Sequence, residues 1–454
     1  MAAQTTLDLI GNTPVVRVER LDTGPCELFL KLESQNPGGS IKDRVGRSMI
    51  EAAEHDGKLG PDQRRIVEAT AGNTGLGLAL VAAKKGYRLT LVIPDKMSRE
   101  KVIHLKALGA EVIITRSDVE KGHPDYYQDK AERIAREDGS FYVNQFGNPA
   151  NPIAHERTTG PEILRALEGN VDAMVCGVGS GGTLTGLSRF FERTSPSTEM
   201  VLADPEGSVL AGYVKTGKVG KAGSWLVEGI GEDFIPPIAD LSRVKHAYTI
   251  PDRESLQTAR DLLREEGVLA GSSSGTLLAA ALRYCREQSS PKRVVSIVAD
   301  SGNKYLSKQF DDSWMVDAGF GAREATGDLR DLVTRRFSDG SVVTVQPSDT
   351  IAIAFARMKI HGVSQLPVVE GKRIVGIVDE SDLLAATLDD EKHFGDAVRD
   401  VMTSRLETVS PATPLARVLP ILADGMVPIL VDGEAFVGLV TRTDVLNHLR
   451  RSVH

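Results

Sequence analysis

The chain has little of several things that would each mark a class of function. Its 454 residues include three cysteines, Cys26, Cys176 and Cys285, with no C-x-x-C pair among them. Their number and spacing exclude a disulfide scaffold and a zinc knuckle, and fit a reducing cytoplasmic compartment. No apolar run reaches the roughly 18 residues that span a bilayer. The opening residues, "MAAQTTLDLIGNTP", lack the basic-then-apolar order of a secretory signal. Positive charge is not in excess either: the net charge is −8, so neither nucleic acid nor an anionic membrane meets a general basic footprint. No His/Cys/Asp cluster has metal-ligand spacing, and neither a G-x-S-x-G elbow nor a P-loop occurs. His155 reads as structural, and Cys176, inside an apolar run, as a small buried hydrophobe.

What is present is regular. From about residue 60 to 300, short apolar strands such as "RRIVEA", "RLTLVIP", "EVIIT", "DAMVCGVG", "EMVLAD" and "RVVSIVAD" alternate with amphipathic helices. Strands separated by helices imply a mostly parallel α/β sheet, with ligands held where strand C-termini turn into helices. Composition shifts at "WMVDAGFGAREATGD", which reads as a linker, and an internal repeat follows. Gly376 and Gly438 are 62 residues apart, as are Asp382 and Asp444. Each copy reads strand-helix-strand-strand-helix and is small, so the two are expected to pack as one module.

Four strand-to-helix turns carry candidate chemistry. In "NPGGSIKDR", Lys42 sits at a helix start, where the macrodipole disfavours a cation. A lowered pKa there would suit a nucleophilic amine. "TAGNTG" is a Gly-rich turn with the Thr70 and Thr74 hydroxyls beside it, suited to a small carboxylate or to simple helix capping. "CGVGSGGTLTG" could cradle a phosphate with backbone N–H groups, Ser180 and Thr183. It also matches G-x-G-x-x-G at Gly177, Gly179 and Gly182, with Asp204 closing the next strand, so an NAD-binding dehydrogenase stays open at this point. In "AGSSSG", Ser272, Ser273 and Ser274 are helix caps or a hydroxyl for a heteroaromatic nitrogen.

With "LDLIGNTPVVRV", "KLESQNPGGSIKDR" and "NQFGNPANPIAHERTTGPEI", these four stretches resemble the fold-type II pyridoxal-phosphate (PLP) enzymes, specifically the cysteine synthase and cystathionine β-synthase family. The similarity covers about residues 5 to 315. It implies a fold of two α/β subdomains with mostly parallel sheets, forming a catalytic domain over residues 1–320. A linker over 321–334 and a C-terminal α/β tandem CBS-domain (Bateman) module, with copies at 335–390 and 391–454, would follow. The cofactor implied is pyridoxal 5′-phosphate. No haem is expected, because the chain begins almost at the core. Carried over by position, Lys42 would form the Schiff base, with Gly38 and Gly39 before it leaving room for the cofactor to approach the backbone, and Asn73 would bond the cofactor's 3′-oxygen. Gly179, Ser180, Gly181, Gly182 and Thr183 would hold its phosphate, and Ser273 would face its pyridine nitrogen. Thr70, Gly72, Thr74 and Gln145 would bind the substrate carboxylate.

Within the family, "DPEGS" and "VEGIGEDFIP" resemble the cystathionine β-synthase branch. The implied reaction is β-replacement, condensing L-serine with L-homocysteine to give L-cystathionine and water. It would be carried out by a cytoplasmic homodimer or higher homo-oligomer. Cysteine synthesis from O-acetylserine and sulfide is the alternative inside the family. Two positions depart from its pattern: Ala71 stands where serine is usual, and Glu232 replaces a tyrosine, which bears on homocysteine selection. In the repeats, "GLVTRTD" resembles an adenosine-ribose motif with Thr441 and Asp444 as contacts, whereas "GIVDESD" has Asp379 in the hydroxyl's place. At most one cleft is therefore expected to suit a nucleotide. S-adenosylmethionine, an adenine nucleotide and no ligand at all stay open there, as does a role in subunit contacts.

Overall fold

The computed structural model describes residues 3–451 except 71, 96, 98, 120 and 322–325. The Ala71 departure and the middle of the expected linker thus lie outside the described residues. The chain divides into two compact units, residues 1–310 and 311–454.

Among the described residues the first unit has ten strands: β1 (Val15–Arg17), β2 (Glu27–Leu32), β3 (Arg65–Ala69), β4 (Arg88–Pro94), β5 (Glu111–Thr115), β6 (Phe141–Tyr142), β7 (Ala173–Gly177), β8 (Glu199–Pro205), β9 (Val244–Ile250) and β10 (Arg293–Val298). They form two sheets. The smaller, in the order β5-β4-β3-β6, is parallel throughout. The larger, β1-β2-β10-β7-β8-β9, is parallel apart from the β1–β2 pair. Residues 65–142 therefore build an inserted sheet between two chain segments that share the other one. Strands β7 and β8 are buried on both faces, as their unbroken apolar runs require. β9, "VKHAYTI", escapes the sequence reading because it is a half-exposed edge strand carrying Lys245 and His246.

Two helices fix the site. Helix Lys42–His55 and helix Asn73–Lys85 cross back to back. A Cβ on Gly46 would stand 2.6 Å from the Gly77 carbonyl carbon, and one on Gly77 would collide with the Lys42 carbonyl group. Only glycine allows backbones this close. The crossing therefore sets the first residues of both helices, Lys42 and Asn73, on neighbouring turns.

Behind this junction lies a buried ion cluster. Arg44 Nε and Nη2 donate to the two oxygens of Glu33 at 2.7 and 2.8 Å. Its Nη1 and Nη2 donate to Glu162 at 2.7 Å each, and Lys31 Nζ reaches Glu162 Oε2 at 2.7 Å. This planar, bidentate pairing gives the helix start one orientation.

In the second unit, a hairpin of β11 (Gln365–Glu370) and β12 (Arg373–Asp379) belongs to the first repeat. The second repeat has β13 (Thr408–Val409), β14 (Ile429–Asp432) and β15 (Ala435–Leu439). The first copy's opening strand shrinks to a single bridge, Val345 to Val368, because Pro347 has no N–H to continue the ladder. Val369 and Ile374 of one copy share an apolar cluster with Ile429 and Phe436 of the other, so the copies form one module. Leu329, Leu332 and Val333, in the segment read as linker, pack into the second copy's core.

Gly77→Ala should cost about 1–3 kcal/mol of stability through overpacking. Gly212→Ala, a helical position with open space around it, should cost nothing. Thermal unfolding of the two variants measures the contrast; equal melting temperatures would contradict the crossing.

Candidate active site

Lys42 is the first residue of its helix and is half-buried. Among the described hydrogen bonds and ion pairs, none involves its ammonium. Burial pushes its pKa down to about 8, with the Glu232 carboxylate pulling the other way. The lowered value thus comes chiefly from desolvation rather than from the helix start. The preceding glycines also have a different reason from clearance for a ligand. Gly38 lies against the Asp43 carboxylate, whose Oδ2 accepts its N–H at 2.5 Å, and Gly39 turns the chain with φ of +74°.

The second turn leaves β3 at Thr70 and enters its helix through Gly72, at φ of +129°. Thr70 Oγ1 accepts from the N–H of Gly72 at 3.1 Å and of Gly75 at 3.3 Å, which closes the loop on itself. Thr74 Oγ1 donates to Gln145 Oε1 at 2.7 Å, and Gln145 Nε2 donates to Ala69 O at 2.9 Å. The structure thus gathers all four expected carboxylate-binding residues around one turn, joined by hydrogen bonds. Glu68, just before them, accepts from backbone N–H groups of Ala69, Asn144 and Gln145, yet burial raises its pKa to about 8.

The third turn follows β7. Gly181 caps helix Gly182–Thr194 at φ of +92°. Among the described hydrogen bonds, the N–H groups of Ser180, Gly181, Gly182 and Thr183 find no acceptor in the chain. A Cβ on Gly179 would lie 2.5 Å from Gly229 O, and one on Gly182 would strike Asn151. Asn151 Nδ2 donates to Ser180 Oγ and to Gln145 O, both at 2.9 Å, and so ties this turn to the previous one. That leaves the Ser180 hydroxyl hydrogen free to point outward. Thr183 Oγ1 bonds His155 Nε2 at 3.2 Å, and burial drives the His155 pKa well below its usual value. His155 is structural and neutral. Cys176 is fully buried, with its thiol pKa raised by desolvation.

Of the three serines opening helix Ser272–Arg286, Ser272 Oγ accepts from Glu228 N at 3.1 Å and Ser274 Oγ accepts from Ala299 N at 2.9 Å. Ser273, 4% exposed, enters none of the described hydrogen bonds. Two hydroxyls hold the fold and the middle one is left for a ligand. Four free N–H groups at a helix start fit a phosphate, an unspent hydroxyl fits a ring nitrogen, and an unpaired amine fits an aldehyde carbon. The residues present therefore fit PLP. They do not fit a dinucleotide. Asp204, needed for a ribose, is fully buried and accepts from Ala211 N at 2.8 Å.

Sequence reasoning missed Asn151, and it missed the loop after β10, where Asp300 bonds Asn73 at 2.7 Å. "ADSGNK" at a strand C-terminus was the available signal. In the second unit, Thr441 Oγ1 donates to Asp444 Oδ2 at 2.5 Å, and Thr334 N reaches Asp444 Oδ1 at 3.3 Å. Thr441 and Asp444 are thus together, each already bonded to the other. In the first copy Asp379 caps helix Glu380–Thr387 beside Asp382.

In cofactor-free protein, the rate at which an amine reagent labels Lys42 should reach half its plateau near pH 8, against about 10.4 for ordinary lysines. Mass spectrometry of the labelled peptides across a pH series measures this; a midpoint near 10 would refute the desolvated amine.

Comparison with known proteins agrees with this geometry. Residues 6–300 match the model of the pyridoxal-phosphate dependent enzymes, and residues 329–389 and 398–451 each match the CBS domain. A cystathionine beta-synthase of Dictyostelium discoideum is 36% identical over 461 residues, spanning 98% of this chain and 92% of that protein. One of Rattus norvegicus is 38% identical over 408 residues, 88% of this chain and 72% of that protein. The solved structure of a hydrogen sulfide-producing enzyme from Fusobacterium nucleatum superposes with a TM-score of 0.61 at 36% identity, covering 67% of this chain and 100% of that one. No described helix is long and apolar enough to cross a membrane. The chain belongs to the pyridoxal-phosphate dependent enzymes, in the cystathionine β-synthase family.

Proposed function

We propose that the chain condenses L-serine with L-homocysteine to give L-cystathionine and water, with PLP held as the four turns suggest. The observation that carries this reading is an amine, Lys42, desolvated and outside the described ion pairs, among three turns that each present unspent donors. Lys42 would attach the cofactor, while Gly179, Ser180, Gly181, Gly182 and Thr183 hold its phosphate and Asn73 its 3′-oxygen. When bound, PLP supplies an electron sink for the pair released at the substrate's α-carbon. Lys42 Nζ would take the α-proton as the free amine and later return it as the ammonium, and a pKa of about 8 suits both directions. Thr70, Gly72, Thr74 and Gln145 would orient the serine carboxylate. Ser273, a hydroxyl, offers the ring nitrogen a hydrogen bond without requiring it to carry a proton, which favours loss of the β-substituent over other fates.

Glu232 supports homocysteine as the second substrate. Its backbone is held by Ser208 Oγ and Val209 N, and its carboxylate acts on Lys42, Tyr126 and Tyr127, so it faces the same cavity. An acid there would receive the α-ammonium of a thiol amino acid, a group that sulfide lacks. The cytoplasmic homo-oligomer and an adenosyl ligand at Thr441 and Asp444 belong to the same proposal. For the ligand to bind, its ribose would have to replace the Thr441–Asp444 bond.

The test is a rate comparison of the loaded enzyme with serine or O-acetylserine, each paired with homocysteine or sulfide. Serine with homocysteine should exceed O-acetylserine with sulfide by at least about tenfold in kcat/KM; the reverse order would make the chain a cysteine synthase. Glu232→Gln should raise the KM for homocysteine about tenfold, the worth of one charge-assisted hydrogen bond, and leave the KM for serine unchanged.

A further inference from the structure

Asn73 opens its helix between two charges. Its Nδ2 donates to Asp300 Oδ2 at 2.7 Å, and its Oδ1 accepts from Lys304 Nζ at 3.0 Å. An ammonium only donates and a carboxylate only accepts, so these partners settle which end of the amide is which. One Nδ2 hydrogen is spent on Asp300 and the Tyr305 hydroxyl that shares its Oδ2, and the other points beyond the helix start. Lys304 Nζ also donates to Gly39 O at 3.1 Å, in the loop that leads to Lys42. One ammonium therefore ties that loop to the first residue of the neighbouring helix.

Neither charge is a loose side chain. Lys304 is 7% exposed and Asp300 fully buried. Tyr305 Oη donates to Asp300 Oδ2 at 2.6 Å, Lys101 Nζ donates to Tyr305 Oη at 2.9 Å, and Lys101 in turn pairs with Glu228 Oε2 at 2.7 Å. Burial lowers the Lys304 pKa, and the Asp300 carboxylate opposes that. Burying a cation is costly, and an apolar side chain of like volume would fill the space at less cost. The charge thus calls for a role that an apolar residue could not fill.

We propose that Lys304 is a positioning residue for the cofactor, holding the Asn73 amide so that its free Nδ2 hydrogen meets the 3′-oxygen while anchoring the Lys42 loop alongside. This rests on the reading that Asn73 faces that oxygen. Without Lys304, the bond to Asp300 holds the amide at one end only, so it can swing about that bond and aim its second Nδ2 hydrogen away from the 3′-oxygen.

The experiment compares Lys304→Met, Asn73→Ala and the double variant with the wild-type chain. It reads PLP affinity on adding PLP to stripped protein, the visible absorbance of the loaded protein, and thermal unfolding of the stripped protein. Lys304→Met should bind PLP about tenfold more weakly and show a shifted visible band, with its melting temperature little changed. The double variant should bind no more weakly than Asn73→Ala alone, and Lys304→Arg, which keeps a donor, should recover most of the affinity. Should the Met variant fail to fold, Lys304→Arg against Lys304→Gln gives the same contrast, a long donor against a short one. An unchanged affinity and band in Lys304→Met, while Asn73→Ala weakens binding, would overturn the proposal alone. Effects that multiply in the double variant would do the same. An unchanged affinity in Asn73→Ala would overturn the proposal together with the reading of Asn73 beneath it.

Discussion

The site depends on one close approach, the backbone contact of two helices at Gly46 and Gly77. Neither position has room for a single carbon, and because they touch, the starts of both helices converge. Lys42 and Asn73 lie 31 residues apart in sequence and come from opposite sides of β3. Without the crossing, an amine and an amide would stand at the ends of two unrelated helices. With it, they stand side by side, and hydrogen bonds carry the connection onward: Asn73 to Asp300 in the loop after β10, and Thr74 through Gln145 and Asn151 to Ser180 in the turn after β7.

Electrostatics then separates Lys42 from its neighbours. Cations nearby are matched: Arg44 with Glu33 and Glu162, Lys31 with Glu162, and Lys101 and Lys308 with Glu228. A buried charge without a partner either costs several kcal/mol or gives up its ionised form. Lys42 goes part of the way along the second course: burial lowers its pKa to about 8, so it frees its amine for attachment and proton transfer at a lower pH than an ordinary lysine. The Arg44 cluster has a further consequence. It holds the helix that carries Lys42 rigid from behind, so the amine's position follows from packing rather than from a hydrogen bond of its own.

The order of strands and helices between residues 60 and 300 was legible because parallel strands buried on both faces leave unbroken apolar runs. β9 was not, since an edge strand with Lys245 and His246 carries no such run. Among site residues, those on glycine-rich turns were visible, because a free N–H cradle needs glycine and hydroxyl residues in a short window. Ser273 shows the limit: sequence offered three adjacent serines, and only the bonds of Ser272 and Ser274 single out the middle one. Gly38 and Gly39 read as room for a ligand, yet they serve the Asp43 contact and a turn. Asn151, Asp300 and Lys304 act by bonding other site residues across long separations, a relation that spacing along the chain does not record.

The central claim is that one lysine among the chain's 54 basic residues carries the cofactor. Borohydride reduction of the PLP-loaded protein, followed by peptide mass spectrometry, tests it most directly, because reduction fixes the cofactor to whichever amine holds it. The account predicts a single pyridoxyl-modified peptide with the label on Lys42. A label on Lys101, Lys304 or any other lysine, with Lys42 unmodified, would contradict it.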